Sequence, residues 1–317
     1  MIDLQVNGLS IGDKLRCSFW EAPRHKDIKR LCEYLYTRGV KQILATLISD
    51  SYDNILYSLK DIQSYKKRFD NDINEAHSNQ RTHIAGVHIE GGMISRPGIH
   101  NPDYLGEFDF IRAGKLKKEC PDLIKLWTLC PLKDRDGDLT KFLQDNGIYV
   151  SYGHSDANYE QAMAAFDKFK VRLVTHWGNA MPIFKGLDQR NPSAQELSYL
   201  DSVNPDTQVD PNHLGIGYAA YTRDDIYAMF ICGSKEDHDL HIHPDLLKKL
   251  IKKKEGKTIL VSDSVVNLEY DNDKEKLRGG LNDLYGHSKN LESLGFSVDS
   301  IKQMVEENPK KVLEHTL

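Results

Sequence analysis

Short apolar runs recur along the chain, and polar, charged or glycine-rich stretches separate them. Their apolar character is nearly continuous, whereas a half-buried strand would alternate between apolar and polar residues. Continuous runs of this length are typical of parallel strands that are covered on both faces. They predict eight strands, over Ile2–Val6, Gln42–Leu47, His83–Ile89, Ile124–Leu129, Ile148–Tyr152, Arg172–Thr175, Tyr227–Ile231 and Thr258–Val261.

Between several of these runs, apolar residues recur at the spacing of a helix face. Ile28, Leu31 and Leu35 illustrate the pattern, and Gly39 supplies a C-terminal stop. The pattern predicts helices over Lys26–Arg38, Asn54–Arg68, Ala157–Phe169, Asp245–Lys254 and Ser300–His315, the last with a fresh turn at Pro309. Residues 182–221 are expected to form an extended loop, and residues 71–81 a loop or helix end.

The alternation of strands and helices predicts parallel βα units in an α/β fold. Eight such strands favour a (β/α)₈ TIM barrel, in which the active site lies at the C-terminal ends of the strands. We expect one catalytic barrel domain over residues 1–317. An open doubly wound sheet is the alternative, and it would place a ligand at a single switch point.

Composition narrows the classes of function. The 317 residues include 39% hydrophobic and 28% charged residues, with a net charge of −5, which fits a globular protein without a nucleic-acid or membrane surface. No apolar stretch approaches the roughly 20 residues of a membrane helix, and no signal peptide is recognisable. The five cysteines are scattered, which favours reduced thiols and a cytoplasmic location.

Four segments that end or follow predicted strands carry acids and histidines. Glu90, His154 and His176 are of the types that bind zinc or ferrous iron in a catalytic site. Asp263 follows an intensely apolar run, so a raised pKa and a role as proton-shuttling base are expected. The segments are His88–Gly92, Gly153–Ser155, Thr175–Met181 and Val261–Ser264.

Each of these residues also has a plain structural interpretation. A single histidine is more often a hydrogen-bonded structural residue than a ligand, and Asp263 could cap the next helix. The occurrence of all four at strand ends favours a shared site. In His241-Ile242-His243, we assign His241 a substrate-facing role and His243, which precedes Pro244, a structural one.

These segments resemble the N-acetylglucosamine-6-phosphate deacetylases, a family of the amidohydrolase superfamily. The similar stretches occur in the family's order across almost the whole chain, and only the set as a whole is specific. They are Ile2–Gly8, Gly86–Gly91, Gly98–Pro102, Gly153–Ala157, Thr175–His176, Asn179–Met181, Leu260–Asp263 and Glu307–Leu313.

The resemblance implies a role for each matching residue. Glu90, His154 and His176 match the metal ligands, and Asp263 matches the catalytic acid and base. His100 matches a histidine beside the scissile carbonyl. Arg190 is similar to an arginine that reaches a phosphate in the neighbouring subunit of a dimer. The substrate-binding set implied is Ile99, His100, Asn179, Ala180, Arg190, His241, Leu277, Arg278 and Gly279.

The chain also departs from the family's pattern. Gln5-Val6-Asn7 stands where some members carry a His-x-His pair, so one divalent ion is expected, zinc or alternatively Fe²⁺. The usual accessory β-sandwich is expected to be missing. Phe19 and Trp20, or a partner subunit in a homodimer, are expected to cover the barrel surface beside the first strand.

The activity implied is removal of the acetyl group from an N-acetylated amino-sugar phosphate, N-acetylglucosamine-6-phosphate. Two alternatives stay open at this point. One is a related amidohydrolase acting on a different N-acyl sugar or a cyclic amide. The other is a sugar-phosphate binding protein without catalysis.

Overall fold

A computed structural model describes residues 1–11, 14–21, 23–106, 108–204, 210, 213–234, 239–266 and 279–317. Eight parallel strands form one sheet, in which each strand is hydrogen-bonded to the next one along the chain. A short antiparallel hairpin of two further strands, β2 (Gly8–Ile11) and β3 (Leu15–Ser18), follows the first. The parallel strands are β1 (Ile2–Val6), β4 (Gln42–Leu47), β5 (His83–Glu90), β6 (Ile124–Leu129), β7 (Tyr149–Tyr152), β8 (Leu173–Val174), β9 (Tyr227–Phe230) and β10 (Thr258–Leu260).

The first and last strands meet just beyond their ends. Val6 and Ser264 form a parallel bridge, and the backbone N–H groups of Asn7 and Gly8 donate to the Ser264 carbonyl at 3.0 and 2.9 Å. The sheet therefore curls into a nearly closed barrel, and the predicted (β/α)₈ fold is confirmed. Each predicted strand agrees with the structure to within one residue at either end.

Helices follow the strands and cover the barrel. The predicted helices at 26–38, 54–68, 157–169 and 245–254 are confirmed with small shifts in their ends. They belong to the set α1 (His25–Thr37), α2 (Tyr52–Phe69), α3 (Ile73–Ser78), α4 (Phe110–Glu119), α5 (Asp138–Asp145), α6 (Tyr159–Phe169), α7 (Ala194–Ser202), α8 (Ile216–Thr222), α9 (Pro244–Lys254), α10 (Leu284–Ser293), α11 (Val298–Lys302) and α12 (Asn308–Leu313). None of the helices in the described ranges is long and apolar enough to cross a membrane.

Two expectations about the helices need correction. The predicted helix at 300–315 is divided by a π-helical turn over Gln303–Glu307, although Pro309 does lie in the first turn of a new helix. The expected loop at 182–221 contains α7 and α8. A capping box starts α7, because the Ser193 hydroxyl accepts from the Glu196 N–H and the Glu196 carboxylate accepts from the Ser193 N–H.

The segment after the hairpin covers the barrel beside β4. Phe19 is fully buried, and Trp20 is half-buried. The 3₁₀ turn over Phe19–Glu21 contacts β4 and α2. Phe19 is therefore buried against β4, the strand that pairs with β1, and its use as a cover beside the first strand stays a prediction.

A buried carboxyl in β1 predicts a pH-dependent stability. Burial raises the pKa of Asp3 to about 7, so the unfolded chain loses this proton before the folded chain does. The free energy of unfolding of the wild type should therefore fall as the pH rises from about 4 to about 7. Asp3→Asn should make this fall smaller and be more stable than the wild type at pH 8 by up to about 4 kcal/mol. Urea unfolding at pH 5 and pH 8 measures the effect.

The exposed Asp53 provides a control for this experiment. Asp53→Asn should follow the pH dependence of the wild type. Equal pH dependence in Asp3→Asn and the wild type would show that Asp3 does not carry the effect.

Candidate metal centre and active site

Three side chains from separate strands converge at the C-terminal end of the barrel. Glu90 is the last residue of β5, and His154 and His176 follow the ends of β7 and β8 by two residues. The Glu90 Oε1 atom lies 3.1 Å from His154 Nε2 and 2.7 Å from His176 Nε2, and the two Nε2 atoms are 3.1 Å apart. The structure therefore brings the three predicted ligands together in one buried cluster.

Backbone carbonyls fix the orientation of both histidines. His154 Nδ1 donates to the Arg96 carbonyl at 2.7 Å, and His176 Nδ1 donates to the Asn179 carbonyl at 3.0 Å. Because a carbonyl only accepts, each Nδ1 carries a proton, and each Nε2 faces Glu90, where it would be the atom left to bind an ion once its own proton is lost. This is the tautomer that a metal-binding histidine uses. One carboxylate and two such imidazoles fit a catalytic zinc or iron site.

The close contacts in this cluster shift the pKa values of its members. Burial alone would raise the pKa of Glu90, but hydrogen bonds from His154 and His176 hold it well below its usual value. Burial would likewise lower the pKa of His176, yet the adjacent Glu90 carboxylate raises it. The buried carboxylate is therefore ionised, and it attracts positive charge to the point where the two Nε2 atoms meet.

The chain turns sharply at three of the candidate site residues. His154, His176 and Asp263 have φ values of +47°, +28° and +47°. This left-handed region is uncommon for residues other than glycine and costs about 1–3 kcal/mol per residue. Strain of this kind concentrates at functional sites, where the surrounding packing maintains it.

Asp263 lies three residues beyond β10, where two amide side chains hold it. Gln5 Nε2 and Asn7 Nδ2 both donate to Asp263 Oδ1, at 2.8 and 2.7 Å. Burial and the nearby Glu90 carboxylate raise the pKa of Asp263 well above its usual value. Gln5 and Asn7 thus supply hydrogen-bond donors to the candidate base.

His100 is locked in one tautomer by a residue that the sequence did not indicate. The backbone N–H of Ser49 donates to His100 Nδ1 at 3.1 Å, and the Ser49 hydroxyl lies 2.9 Å from the same atom. Burial and the neighbouring His154 lower the pKa of His100 to about 3. His100 is therefore neutral, and its remaining proton lies on Nε2. Ser49 follows β4 by two residues, so its place beyond a strand end was a signal available in the sequence.

One cavity joins most of the predicted site residues. The described residues that line it include the three candidate ligands together with Ile99, His100, Asn179, Ala180, Asp263 and Gly279. Neither Arg190 nor His241 is among them. The Arg190 side chain is 40% exposed and lies 4.0 Å from Asp188, whereas His241 is buried and donates from Nε2 to Asp239 at 3.1 Å. The predicted Leu277 and Arg278 lie outside the described residues.

Comparison with known proteins gives the same family that the sequence motifs indicated. N-acetylglucosamine-6-phosphate deacetylase of Bacillus subtilis is 28% identical over 186 residues, which are 58% of this chain and 44% of that protein. The deacetylase of the same name from Haemophilus influenzae is 31% identical over 196 residues, with the same shares. The chain thus spans less than half the length of these relatives. No protein-family model matches it.

The crystal structure of N-acetylglucosamine-6-phosphate deacetylase from Pasteurella multocida matches the fold. Its TM-score is 0.73 at 22% identity, over 99% of this chain and 76% of that chain. The chain resembles N-acetylglucosamine-6-phosphate deacetylases. The resemblance seen in the motifs is thereby confirmed, and the shared fold covers nearly the whole chain.

A second cavity, of about 370 Å³, adjoins the cavity that contains Glu90, His154 and His176. Both cavities are lined in part by Ala180. Three residues with basic side chains, Arg96, Lys185 and His213, line the second cavity. Arg96 also supplies the carbonyl that orients His154, so one residue contributes to both regions.

His243 has the structural role predicted for it. It is the N-cap of α9, and its Nδ1 accepts from the Asp245 N–H at 3.2 Å. The five cysteines are all buried and free of disulfides.

Proposed function

We propose that this chain is a metal-dependent hydrolase that converts N-acetylglucosamine-6-phosphate to glucosamine-6-phosphate and acetate. The observation that carries the proposal is the single cavity that Glu90, His154, His176 and Asp263 share. Three ligands leave a coordination position open for substrate or water, and an acid–base group lies beside them. The similarity to deacetylases of this name supports the choice of reaction.

The proposed metal would be held by Glu90 Oε1 and the Nε2 atoms of the two histidines. When bound, a divalent ion supplies positive charge that polarises a carbonyl oxygen and makes water more acidic. Asp263 takes the proton of the attacking water, and it returns that proton to the amine as the C–N bond breaks. Its raised pKa suits both steps, because the same carboxyl must accept a proton and then release it.

His100 is proposed to stabilise the oxyanion that develops on the acetyl carbonyl. Ser49 occupies its Nδ1, so the Nε2–H is the donor available to a ligand. Burial keeps the ring neutral, so His100 donates this hydrogen bond without itself carrying a charge. A neutral histidine in this role acts as an electrophile.

The cavity beyond Ala180 supports a substrate with an anionic end. Arg96 and Lys185 line this cavity together with Asp156, which lies 3.3 Å from the Arg96 Nε atom. Guanidinium groups bind phosphate through paired hydrogen bonds. We propose that the phosphate lies toward this cavity while the acetamido group lies over Glu90. The roles implied for Arg190, His241, Leu277 and Arg278 remain predictions.

Several finer assignments belong to the same proposal. We propose zinc as the metal, with Fe²⁺ as the alternative, and one catalytic barrel domain over residues 1–317. Buried free thiols support a cytoplasmic location. We also propose a homodimer. A molar mass equal to that of one chain, measured by light scattering at micromolar concentration, would contradict it.

A direct assay tests the function. Purified protein loaded with zinc should release acetate and free amine in equal amounts from N-acetylglucosamine-6-phosphate. Removal of the metal with a chelator should abolish the release, because the carbonyl then lacks its polarising charge, and added zinc should restore it.

Two related substrates sharpen the result. N-acetylglucosamine without phosphate should react poorly if the phosphate is bound, and N-acetylgalactosamine-6-phosphate tests the sugar configuration. Tight binding of the sugar phosphates without any acetate release from zinc-loaded protein would instead support the binding-protein alternative.

A further inference from the structure

The barrel interior next to the metal cluster contains a row of hydrogen-bonded polar side chains. Branched apolar residues usually fill such interiors. Here His88 Nε2 lies 2.7 Å from Thr128 Oγ1. Thr175 Oγ1 lies 2.6 Å from Thr128 Oγ1 and also 2.6 Å from Ser151 Oγ. All four side chains are fully buried. We call Ser151, Thr175, Thr128 and His88 the polar row.

Hydrogen-bond chemistry gives the polar row one direction. His88 Nδ1 lies 3.1 Å from the Leu4 carbonyl, which only accepts, so Nδ1 carries the proton. The Nε2 of the neutral ring must then accept from Thr128. Since Thr128 has given its only proton, Thr175 donates to Thr128 and Ser151 donates to Thr175. With Leu4, the row connects five of the eight barrel strands in one ordered arrangement.

The polar row contacts the strand ends that deliver all three candidate ligands. Thr175 directly precedes His176, and His88 lies two residues before Glu90 on the same face of β5. Beside His154, a Cβ atom at Gly153 would lie only 2.9 Å from Thr128 Cγ2 and from Thr175 Cβ. The two threonines therefore pack against the backbone that immediately precedes His154.

Two details show that this packing leaves little freedom. Gly91, which follows Glu90, donates its N–H to the Thr128 carbonyl at 3.2 Å. The close approach at Gly153 leaves no room for a larger side chain there. A shift of either threonine would thus be transmitted to the ligands on β5, β7 and β8.

We propose that the polar row is the layer that positions the metal ligands, and that the Thr175 hydroxyl at its centre controls how tightly the site binds a divalent ion. The inference rests on the proposed metal-dependent function. Thr175 is a positioning residue, because it acts through the backbone and the neighbouring side chains. Loss of groups that support metal ligands typically weakens metal binding by about 10–100-fold.

The test compares two substitutions at one position. Thr175→Val keeps the shape but removes the hydroxyl, whereas Thr175→Ser keeps the hydroxyl and removes the methyl group. We expect Thr175→Val to bind zinc at least tenfold more weakly than the wild type, and Thr175→Ser to stay within about threefold. Competition with a chromogenic chelator, starting from metal-free protein, measures the dissociation constants without any substrate.

The outcomes separate the inference from the proposed function. If the wild type binds no zinc, the proposed function fails. If the wild type binds zinc and Thr175→Val binds it equally well, only the role of the polar row is wrong. Should Thr175→Val not fold, Ser151→Ala removes only the first donor of the row. It should weaken zinc binding at least threefold, and unchanged affinity would overturn the inference.

Discussion

Asp263→Asn should lower the rate of deacetylation by roughly a thousandfold or more while leaving the zinc content unchanged. Asparagine cannot take a proton from water or return one to the leaving amine. Its side-chain oxygen can still accept from Gln5 and Asn7, as Asp263 Oδ1 does. The fold should therefore persist. Acetate release under saturating substrate, together with metal analysis of the same sample, measures both effects.

Two observations check this interpretation. Asp53→Asn makes the same chemical change on the exposed face of α2 and should retain full activity. Near-normal turnover in Asp263→Asn would contradict the assignment of the base. Loss of zinc from that variant would instead place Asp263 among the metal ligands.

Glu90→Gln should weaken zinc binding by more than a hundredfold and abolish activity with it. Glu90 Oε1 faces both imidazoles and supplies the only negative charge of the ligand set. A neutral amide is a poor ligand beside imidazole, and loss of a ligand should cost more than the 10–100-fold typical of its supporting groups. Chelator competition gives the affinity, and acetate release gives the activity.

Thermal unfolding provides an independent measure of the same site. An ion that binds only the folded state raises the melting temperature, and the rise is larger when the ion binds more tightly. Added zinc should therefore stabilise the metal-free wild type and the exposed control Glu160→Gln, but not Glu90→Gln. Equal stabilisation of all three proteins would show that zinc binds elsewhere.

The sequence predicted the barrel well because its strands are continuous apolar runs. Such runs are visible without tertiary information, and β1, β4 and β6 begin and end where predicted. Short helices such as α5 do not span enough turns for a clear period. The capping box of α7 is visible in the sequence as Ser193 and Glu196. The polar residues around it nevertheless led to the prediction of a loop.

The candidate site was predictable in its residue types but not in its connections. Glu90, His154 and His176 are at strand ends in the sequence, and parallel strands bring such ends to one face. The bond from Ser49 to His100 joins residues 51 positions apart. No local sequence pattern encodes that bond. Nor does one show that Arg190 lies outside the lining of the cavity at Glu90, because the position of Arg190 depends on how its loop folds.

The left-handed corners at His154, His176 and Asp263 set a limit on how such a protein can evolve. Glycine would relax each corner, yet it would delete the side chain on which the proposed chemistry depends. Selection for heat resistance alone would thus favour losing these three residues first. Their presence at strained positions in this chain is what selection for the proposed catalysis, acting against the fold's own preference, would produce.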